Sequence, residues 1–312
     1  MSLDSSRASE DVTRPTGPGK FQVWILAARP KTLPAAAAPV MVGTAVAISE
    51  HVFSFWPALA ALLGALLIQI GTNFANDVFD YKKGADTTKR LGPIRVTQAG
   101  LLSPREVVAG MWVVFGLAAL VGLYLIVVGG WPILAIGILS IISGLAYTGG
   151  PFPLGYNGLG DLFVFIFFGL VAVGGTYYVQ ALTVSAAAVW AAVPMGLLAT
   201  AILVVNNLRD IDTDRAAGKK TLAVRFGVRG VQTEYTLLLG LSYAVPVIMW
   251  LTDVSSPWVM LSWLSLRLVR PLLDLVMHES GRVLNQALAG TARLELVYAF
   301  LLSAGFIAGR YF

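Results

Sequence analysis

The sequence predicts an all-α polytopic membrane protein, a bundle of about nine transmembrane helices. Of its 312 residues 57% are hydrophobic and only 12% charged, about half the charged fraction of a soluble domain. Apolar runs recur along the chain, most of them near the ~20 residues that cross a hydrocarbon layer. Basic residues gather in alternate connections between those runs, as expected of a chain threaded repeatedly through a bilayer.

Residues 1–20 are polar and mixed in charge, with no apolar core. They are therefore no secretory signal and read as a disordered cytoplasmic tail, with 21–312 as one transmembrane domain. The stretch FQVWILAA at 21–28 suits the interface ahead of the first span. Spans are expected at 33–49, 55–76, 107–128, 131–147, 162–182, 186–205, 235–251, 258–273 and 294–308. Lys82, Lys83, Lys89, Arg90, Arg95 and Arg105 fall between spans two and three, and Arg209, Arg215, Lys219, Lys220, Arg225 and Arg229 between spans six and seven. Connections after spans one, three, five and seven hold no Lys or Arg. This alternation predicts an odd number of spans in the plasma membrane, with both charged connections cytoplasmic. The loop at 148–160, TGGPFPLGYNGLG, shares that side without a basic residue and reads as tight and buried.

Composition narrows the chemistry. Without cysteine there is no disulfide, thiolate nucleophile or Cys-ligated metal. Two histidines, His51 and His278, exclude a His-rich metal site and are expected to do nothing catalytic. A metal here is oxygen-ligated and hard. The net charge of +5 follows from cytoplasmic basic loops and contact with anionic lipid of the bilayer. Nucleic acid is not an expected partner, because a basic soluble surface is missing, and no obligate protein partner is evident. Phosphate-loop and zinc-protease motifs are missing too.

Two stretches place carboxylates where they are expensive: NFANDVFDYKKGAD at 73–86 and NNLRDIDTDRAAGKKT at 206–221. Each follows a long apolar run, so its acids sit at a helix end. An Asp at the centre of a membrane helix costs about 2.5–3.5 kcal/mol, less near the interface, so compensating cations are expected. At helical spacing Asn76 and Asp80 share a face with Asp77 in reach, and Asn206, Asp210 and Asp214 form one row. Mg²⁺ takes one or two carboxylates plus phosphate oxygens and water. Two such rows facing across a cavity suit a lipid diphosphate bridged by Mg²⁺, with Arg95, Arg209, Arg215 and Lys219 neutralising the departing diphosphate. Asp212 lies off the row and is expected to be solvated; Arg267, Arg270 and Arg282 read as topology signals, and FVFIFF at 163–168 as a lipid-facing or packing surface in preference to the aromatic lining of a prenyl channel.

NDVFDYKKGAD, NNLRDIDTDRAAGKKTLAVRFG and the opening AARPKTLPAAAAPVMVGTAVA at 27–47 resemble the UbiA superfamily of intramembrane prenyltransferases, over nearly all the chain beyond residue 20. ARPKTLP, GADTTKRLGPIRV and NNLRDIDTD are similar to the branch that prenylates 1,4-dihydroxy-2-naphthoate. The resemblance implies helices around a central cavity, a cytoplasmic cap over the two Asp motifs and a lateral opening to the bilayer. It assigns Asn76, Asp80, Asp210 and Asp214 to Mg²⁺, with Asp77 and Asp86 in support, although Asp86 follows Asp80 by six residues where the superfamily more often has four. Tyr147 corresponds to a position near the reacting carbon, and Arg29 and Lys31 are candidates for the aromatic acid's carboxylate. Lys83, Asn206 and Asn207 complete the candidate substrate contacts.

The implied activity is transfer of a polyprenyl group from an allylic prenyl diphosphate to the naphthoate ring. Ionisation, ring attack and loss of CO₂ and a proton would give a demethylmenaquinone for menaquinone synthesis. Another aromatic acceptor, 4-hydroxybenzoate or homogentisate, is the near alternative. A cation-coupled secondary transporter is the distant one, but its acids would sit near the bilayer midplane, and these sit at helix ends among basic residues.

Overall fold

The computed structural model describes residues 19–85 and 90–311. The expected tail therefore lies outside the described residues except for Gly19 and Lys20, and so does Asp86. Among the described residues every regular element is helical.

The chain enters through α1 (Lys20–Ala28), which turns at Arg29 and a 3₁₀ turn, Pro30–Thr32, into α2 (Leu33–Ser49). Arg29 takes left-handed dihedrals, φ 53° and ψ 68°; a residue ahead of proline is disfavoured in the right-handed helical region, so the break falls there. Asn73 stitches it shut, donating from Nδ2 to the Ala28 carbonyl at 2.9 Å and to Thr32 Oγ1 at 3.0 Å.

Then follow α3 (Phe55–Lys82), α4 (Pro104–Gly129), α5 (Trp131–Ala146), α6 (Gly160–Val164), a π-helical stretch (Phe165–Val171), α7 (Ala172–Ala181) and α8 (Ala186–Arg209). A short α9 (Ile211–Ala216) leads into α10 (Leu222–Leu251), which kinks at Gly227, where φ is 69°. A 3₁₀ helix (Pro257–Leu268), α11 (Val269–His278) and α12 (Leu284–Tyr311) complete the order.

All nine apolar runs are helical, but seven helices among the described residues are long and apolar enough to span a membrane. The expectation of nine full-length spans is corrected at two places. The run at 131–147 forms only the 16-residue α5, about 24 Å at 1.5 Å per residue. The run at 258–273 is helical throughout but begins as the 12-residue 3₁₀ helix and continues into α11, so it does not form one of the seven long apolar spans. Tyr243 and Trp263 hold that unusual helix against α10: the Tyr243 and Ser265 hydroxyls lie 2.6 Å apart, and Trp263 Nε1 donates to the Tyr243 carbonyl at 3.1 Å.

The main core gathers α2, α8, α10 and α12, and a second cluster gathers α1, α3 and α4. α8 is the most enclosed span, with 72% of its apolar window buried. Glycines bring the π-helical stretch onto it: a Cβ on Gly196 would stand 2.7 Å from the Phe165 carbonyl oxygen. Between α2, α3, α4, α5 and the Phe165–Ala181 segment lies a cavity of about 490 Å³. α3 runs past the cavity to Lys82, so Asp77 and Asp80 lie on its last turns.

Candidate active site

The cavity changes character along its length. Over most of its depth it is apolar, walled by α3, α4, α5 and the aromatic side chains Phe163, Phe167 and Phe168. The run FVFIFF thus contributes cavity wall as well as packing. At one end its lining includes the polar Asn73, Asn76 and Tyr147, and the two acidic motifs lie next to them.

Asp80 is 3% exposed. Its Oδ2 accepts from Arg95 Nη2 at 2.9 Å and its Oδ1 from the Tyr156 hydroxyl at 2.6 Å. Asn76 Oδ1 accepts from Thr148 Oγ1 at 2.9 Å. Lys83 Nζ donates to the Thr148 carbonyl at 2.7 Å; burial lowers its pKa and Asp80 partly restores it. Asp77 takes another task, accepting from the backbone N–H groups of Val96 and Thr97 at 3.1 and 3.0 Å. It fixes the turn that delivers Arg95.

In the second motif the expected row bends. α8 ends at Arg209, and Asp210 has φ −98° and ψ 9° between α8 and α9, the sparsely populated bridge region. Asn206 therefore sits on one helix and Asp214 on the next. The Asp214 amide still bonds the Asp210 carbonyl at 2.8 Å. Arg209 grips Asp210 with Nε and Nη2 at 2.9 and 2.5 Å, Asn206 Oδ1 with Nη2 at 2.8 Å and Asn285 Oδ1 with Nη1 at 2.8 Å. Lys219 Nζ lies 3.0 Å from Asp214 Oδ1. Burial raises the Asp214 pKa, Lys219 lowers it, and Asp210 and Asp80 raise it again. Asn207 is buried beside this cluster.

Arg215 does not join the cluster: it pairs with Asp212 at 3.2 Å on an exposed surface. Being one residue past Asp214 points it the other way around α9. Lys31 is exposed and Arg29 half-buried at the break between α1 and α2. Gln69 and Asn73, which both line the cavity, bond Thr32 in that same break.

Tyr147 is half-buried by surface area, but what it exposes faces the cavity. A tyrosine phenol is protonated at neutral pH.

One central residue carried no sequence signal. Tyr156 bonds Asp80 through its hydroxyl, and its ring lies 5.0 Å from Lys83 Nζ and 4.7 Å from Lys219 Nζ, within range of cation–π attraction. Its carbonyl accepts from the Lys220 amide at 2.7 Å. A single side chain in the 148–160 loop thus spans both motifs.

Among the described residues no three acidic or imidazole side chains converge on one point. Each carboxylate leans instead on its own cation. The donors still suit a hard divalent ion, because all are oxygens and the three buried acids Asp80, Asp210 and Asp214 interact electrostatically as like charges.

Residues 36–274 match the profile of the UbiA prenyltransferase family. The chain belongs to this family. Among curated UbiA relatives, 1,4-dihydroxy-2-naphthoate octaprenyltransferase of Mycobacterium tuberculosis is 39% identical over 294 residues, covering 93% of this chain and 98% of that protein. The protein of the same description from Escherichia coli K12 is 42% identical over 260 residues, 81% of this chain and 83% of that one. A solved UbiA homologue from Aeropyrum pernix K1 superposes with a TM-score of 0.66 at 17% identity, over 88% of this chain and 97% of that one. A UbiA homologue from Archaeoglobus fulgidus, solved bound to GPP and Mg²⁺, does so at 0.63 and 16% identity, over 90% and 99%. These two likenesses confirm the fold: this UbiA chain is an all-helical, multi-pass membrane protein.

Proposed function

We propose that this protein transfers a polyprenyl group from an allylic prenyl diphosphate to 1,4-dihydroxy-2-naphthoate, giving the prenylated quinol, demethylmenaquinol, with release of diphosphate and CO₂. The observation that carries the reading is the join between cavity and cluster: an apolar trough ends at buried acids interleaved with Lys83, Arg95, Arg209 and Lys219. That arrangement fits a ligand with a hydrocarbon tail and a polyanionic head. The names of the relatives supply the acceptor.

The cofactor is a divalent cation, Mg²⁺, held by Asp80, Asp210 and Asp214 with Asn76. When bound it supplies charge stabilisation to the diphosphate oxygens. The chain's own residues do the rest. Lys83, Arg95, Arg209 and Lys219 orient the diphosphate and stabilise the charge it gains as the allylic C–O bond breaks. The aromatic and aliphatic wall keeps water from the electron-poor prenyl carbon. Tyr147, protonated at the head of the trough, holds the reacting end against the ring, and Arg29 and Lys31 receive the acceptor's carboxylate. Asp77 supports the site by ordering the Arg95 turn. Asp86 adds a carboxylate to the same connection. Asn206 and Asn207, which open the second motif, contact the substrate, and both motifs face the cytoplasm of the plasma membrane.

The test is direct. Purified protein in lipid nanodiscs, given geranyl diphosphate, 1,4-dihydroxy-2-naphthoate and Mg²⁺, should release diphosphate and CO₂ and form the prenylated quinol. Asp80→Asn and Asp210→Asn should nearly abolish turnover. Prenylation of 4-hydroxybenzoate in preference to the naphthoate would overturn the acceptor, and full turnover in excess EDTA would overturn the cation.

A further inference from the structure

The connection that carries Arg95 between α3 and α4 is tied down from two sides. Residues 91–94 form no helix, and just past them Asp77 of α3 holds the amides of Val96 and Thr97. The other tie comes from α12. Asn285, in the first turn of that helix, donates from Nδ2 to the Leu91 carbonyl at 3.0 Å, across 194 residues of sequence, and to the Arg282 carbonyl at 3.0 Å. Its Oδ1 accepts from Arg209 Nη1 at 2.8 Å. A side-chain amide has one donor end and one acceptor end. Two carbonyls occupy the first and a guanidinium the second, so its orientation is fixed.

Gly92 marks how closely these pieces meet. A Cβ there would stand 2.8 Å from Arg209 Nη2 and 3.1 Å from its Cζ, so the connection lies directly against the guanidinium. Arg209 cannot yield freely, because Asp210, Asn206 and Asn285 all hold it and its side chain is only 1% exposed. Three residues beyond Gly92, Arg95 reaches Asp80. Asn285 therefore bonds both the connection that delivers one cation and the guanidinium that is the other. It stands in RVLNQALAG, outside both acidic motifs.

We propose that Asn285 is a positioning residue for the diphosphate site: it locks the connection at 91–95 to Arg209, so that the cation paired with Asp80 and the cation paired with Asp210 meet one anion at a fixed spacing. This rests on the prenyl-transfer reading above. A diphosphate spreads its charge over the oxygens of two phosphates, and cations already held at the right separation bind it without a cost of ordering. Without Asn285 the connection keeps its anchor on Asp77 and loses the one on α12, which frees Arg95 at one end.

The experiment uses the full chain in phosphatidylcholine nanodiscs and reads initial rates, affinity for inorganic diphosphate with Mg²⁺, and amide hydrogen exchange at 91–97. In Asn285→Leu, kcat/KM for geranyl diphosphate should fall about tenfold, the equivalent of roughly 1.4 kcal/mol, with KM for the aromatic acid within about twofold. Affinity for inorganic diphosphate should fall likewise, and exchange at 91–97 should quicken while α12 stays as protected as in the wild type. Asn285→Asp keeps an acceptor for Arg209 but turns a carboxylate towards two carbonyls, so it should match Asn285→Leu; wild-type behaviour would overturn the tie to Leu91. Gly92→Ala leaves Asn285 in place and pushes the connection off Arg209, and should reproduce the loss of diphosphate affinity. Unchanged affinity in both Asn285→Leu and Gly92→Ala overturns the proposal. Added to Arg95→Ala, Asn285→Leu should cost less than about threefold more; a full tenfold addition would show that it does not act through Arg95. Exchange quickened throughout α12, with both KM values raised equally, would reduce Asn285 to a general support of the fold and also overturn the proposal. Failure of the wild type to transfer the geranyl group overturns prenyl transfer instead, while diphosphate affinity and exchange still decide on Asn285.

Discussion

Tyr156 shows what a single side chain contributes to this site. Its hydroxyl bonds Asp80 of the first motif while Lys219 of the second sits over its ring, so it couples two segments far apart in sequence. Tyr156→Phe removes a hydrogen bond to a charged group, worth about 1.5–3 kcal/mol, and keeps the ring. Initial rates should show kcat/KM for the prenyl diphosphate lower by roughly ten- to a hundredfold; a change under about threefold would make the bond incidental. Arg215→Ala is the contrast, since its exposed pair with Asp212 belongs to a class worth about 0–1 kcal/mol, and turnover should stay within about threefold. Arg29→Ala and Lys31→Ala should raise KM for the aromatic acid by one to two decades, about 1.5–3 kcal/mol, with KM for the prenyl diphosphate unmoved; equal rises would move both residues to the diphosphate. The acids were legible because a carboxylate at the end of an apolar run is costly and therefore conspicuous. Tyr156 was not, because a neutral residue in GYNG has no such cost and its partner Asp80 becomes a neighbour only after folding. Arg215 follows Asp214 in the motif, and helix phase turns it outward to Asp212.

Elements were read well where a run is long and α-helical, and less well where backbone geometry departs from α. The π-helical stretch Phe165–Val171 has no signature in an unbroken apolar run, and a single extra residue in a helical turn shifts every later side chain around the axis. Phe167 and Phe168 of that stretch line the cavity. The 3₁₀ helix was hidden likewise, since its Ser262 and Ser265 hydroxyls donate to the carbonyls of Val259 and Ser262, a local compensation invisible to hydropathy. Contact between the π-helical stretch and α8 depends on Gly196, whose added Cβ would lie 2.7 Å from the Phe165 carbonyl and 2.8 Å from the Phe165 ring. Backbone cannot yield as a flexible side chain can, so Gly196→Ala is an overpacking change of about 1–3 kcal/mol. The half-life of activity in detergent at elevated temperature should shorten, and KM for the prenyl diphosphate should rise as the aromatic wall is displaced. Wild-type values for both would show that α8 and the stretch tolerate separation. Asp77→Ala tests a second junction. It leaves the amides of Val96 and Thr97 unsatisfied, at about 1–3 kcal/mol for each buried donor, and should raise KM for the diphosphate through loss of order at Arg95.

The whole molecule has two unlike ends, and the charge difference between them predicts its orientation. At one end lie the acidic motifs with the basic connections after α3 and α8; at the other, exposed Trp56, Trp131, Trp250 and Trp258 stand at the first or last turns of α3, α5, α10 and the 3₁₀ helix. Trp prefers both membrane interfaces, whereas Lys and Arg are retained on the cytoplasmic side, so it is the basic end that decides. The sequence carried this polarity plainly, because charge alternation survives any error in helix boundaries; it could not show which of the runs would line the trough, since only α2 to α5 and the segment around the π-helical stretch do so. Orientation matters to the proposed function because a prenyl diphosphate and a divalent cation would reach the site from the cytoplasm. With no native cysteine, single cysteines report it cleanly. Ala99 and Thr252 are exposed at opposite ends, one in the turn before α4 and the other just past α10. An impermeant maleimide added outside intact cells should label Thr252→Cys and spare Ala99→Cys until the membrane is opened. Labelling of Ala99→Cys from outside would invert the molecule, and would place the diphosphate site on the face that cytoplasmic prenyl diphosphate cannot reach.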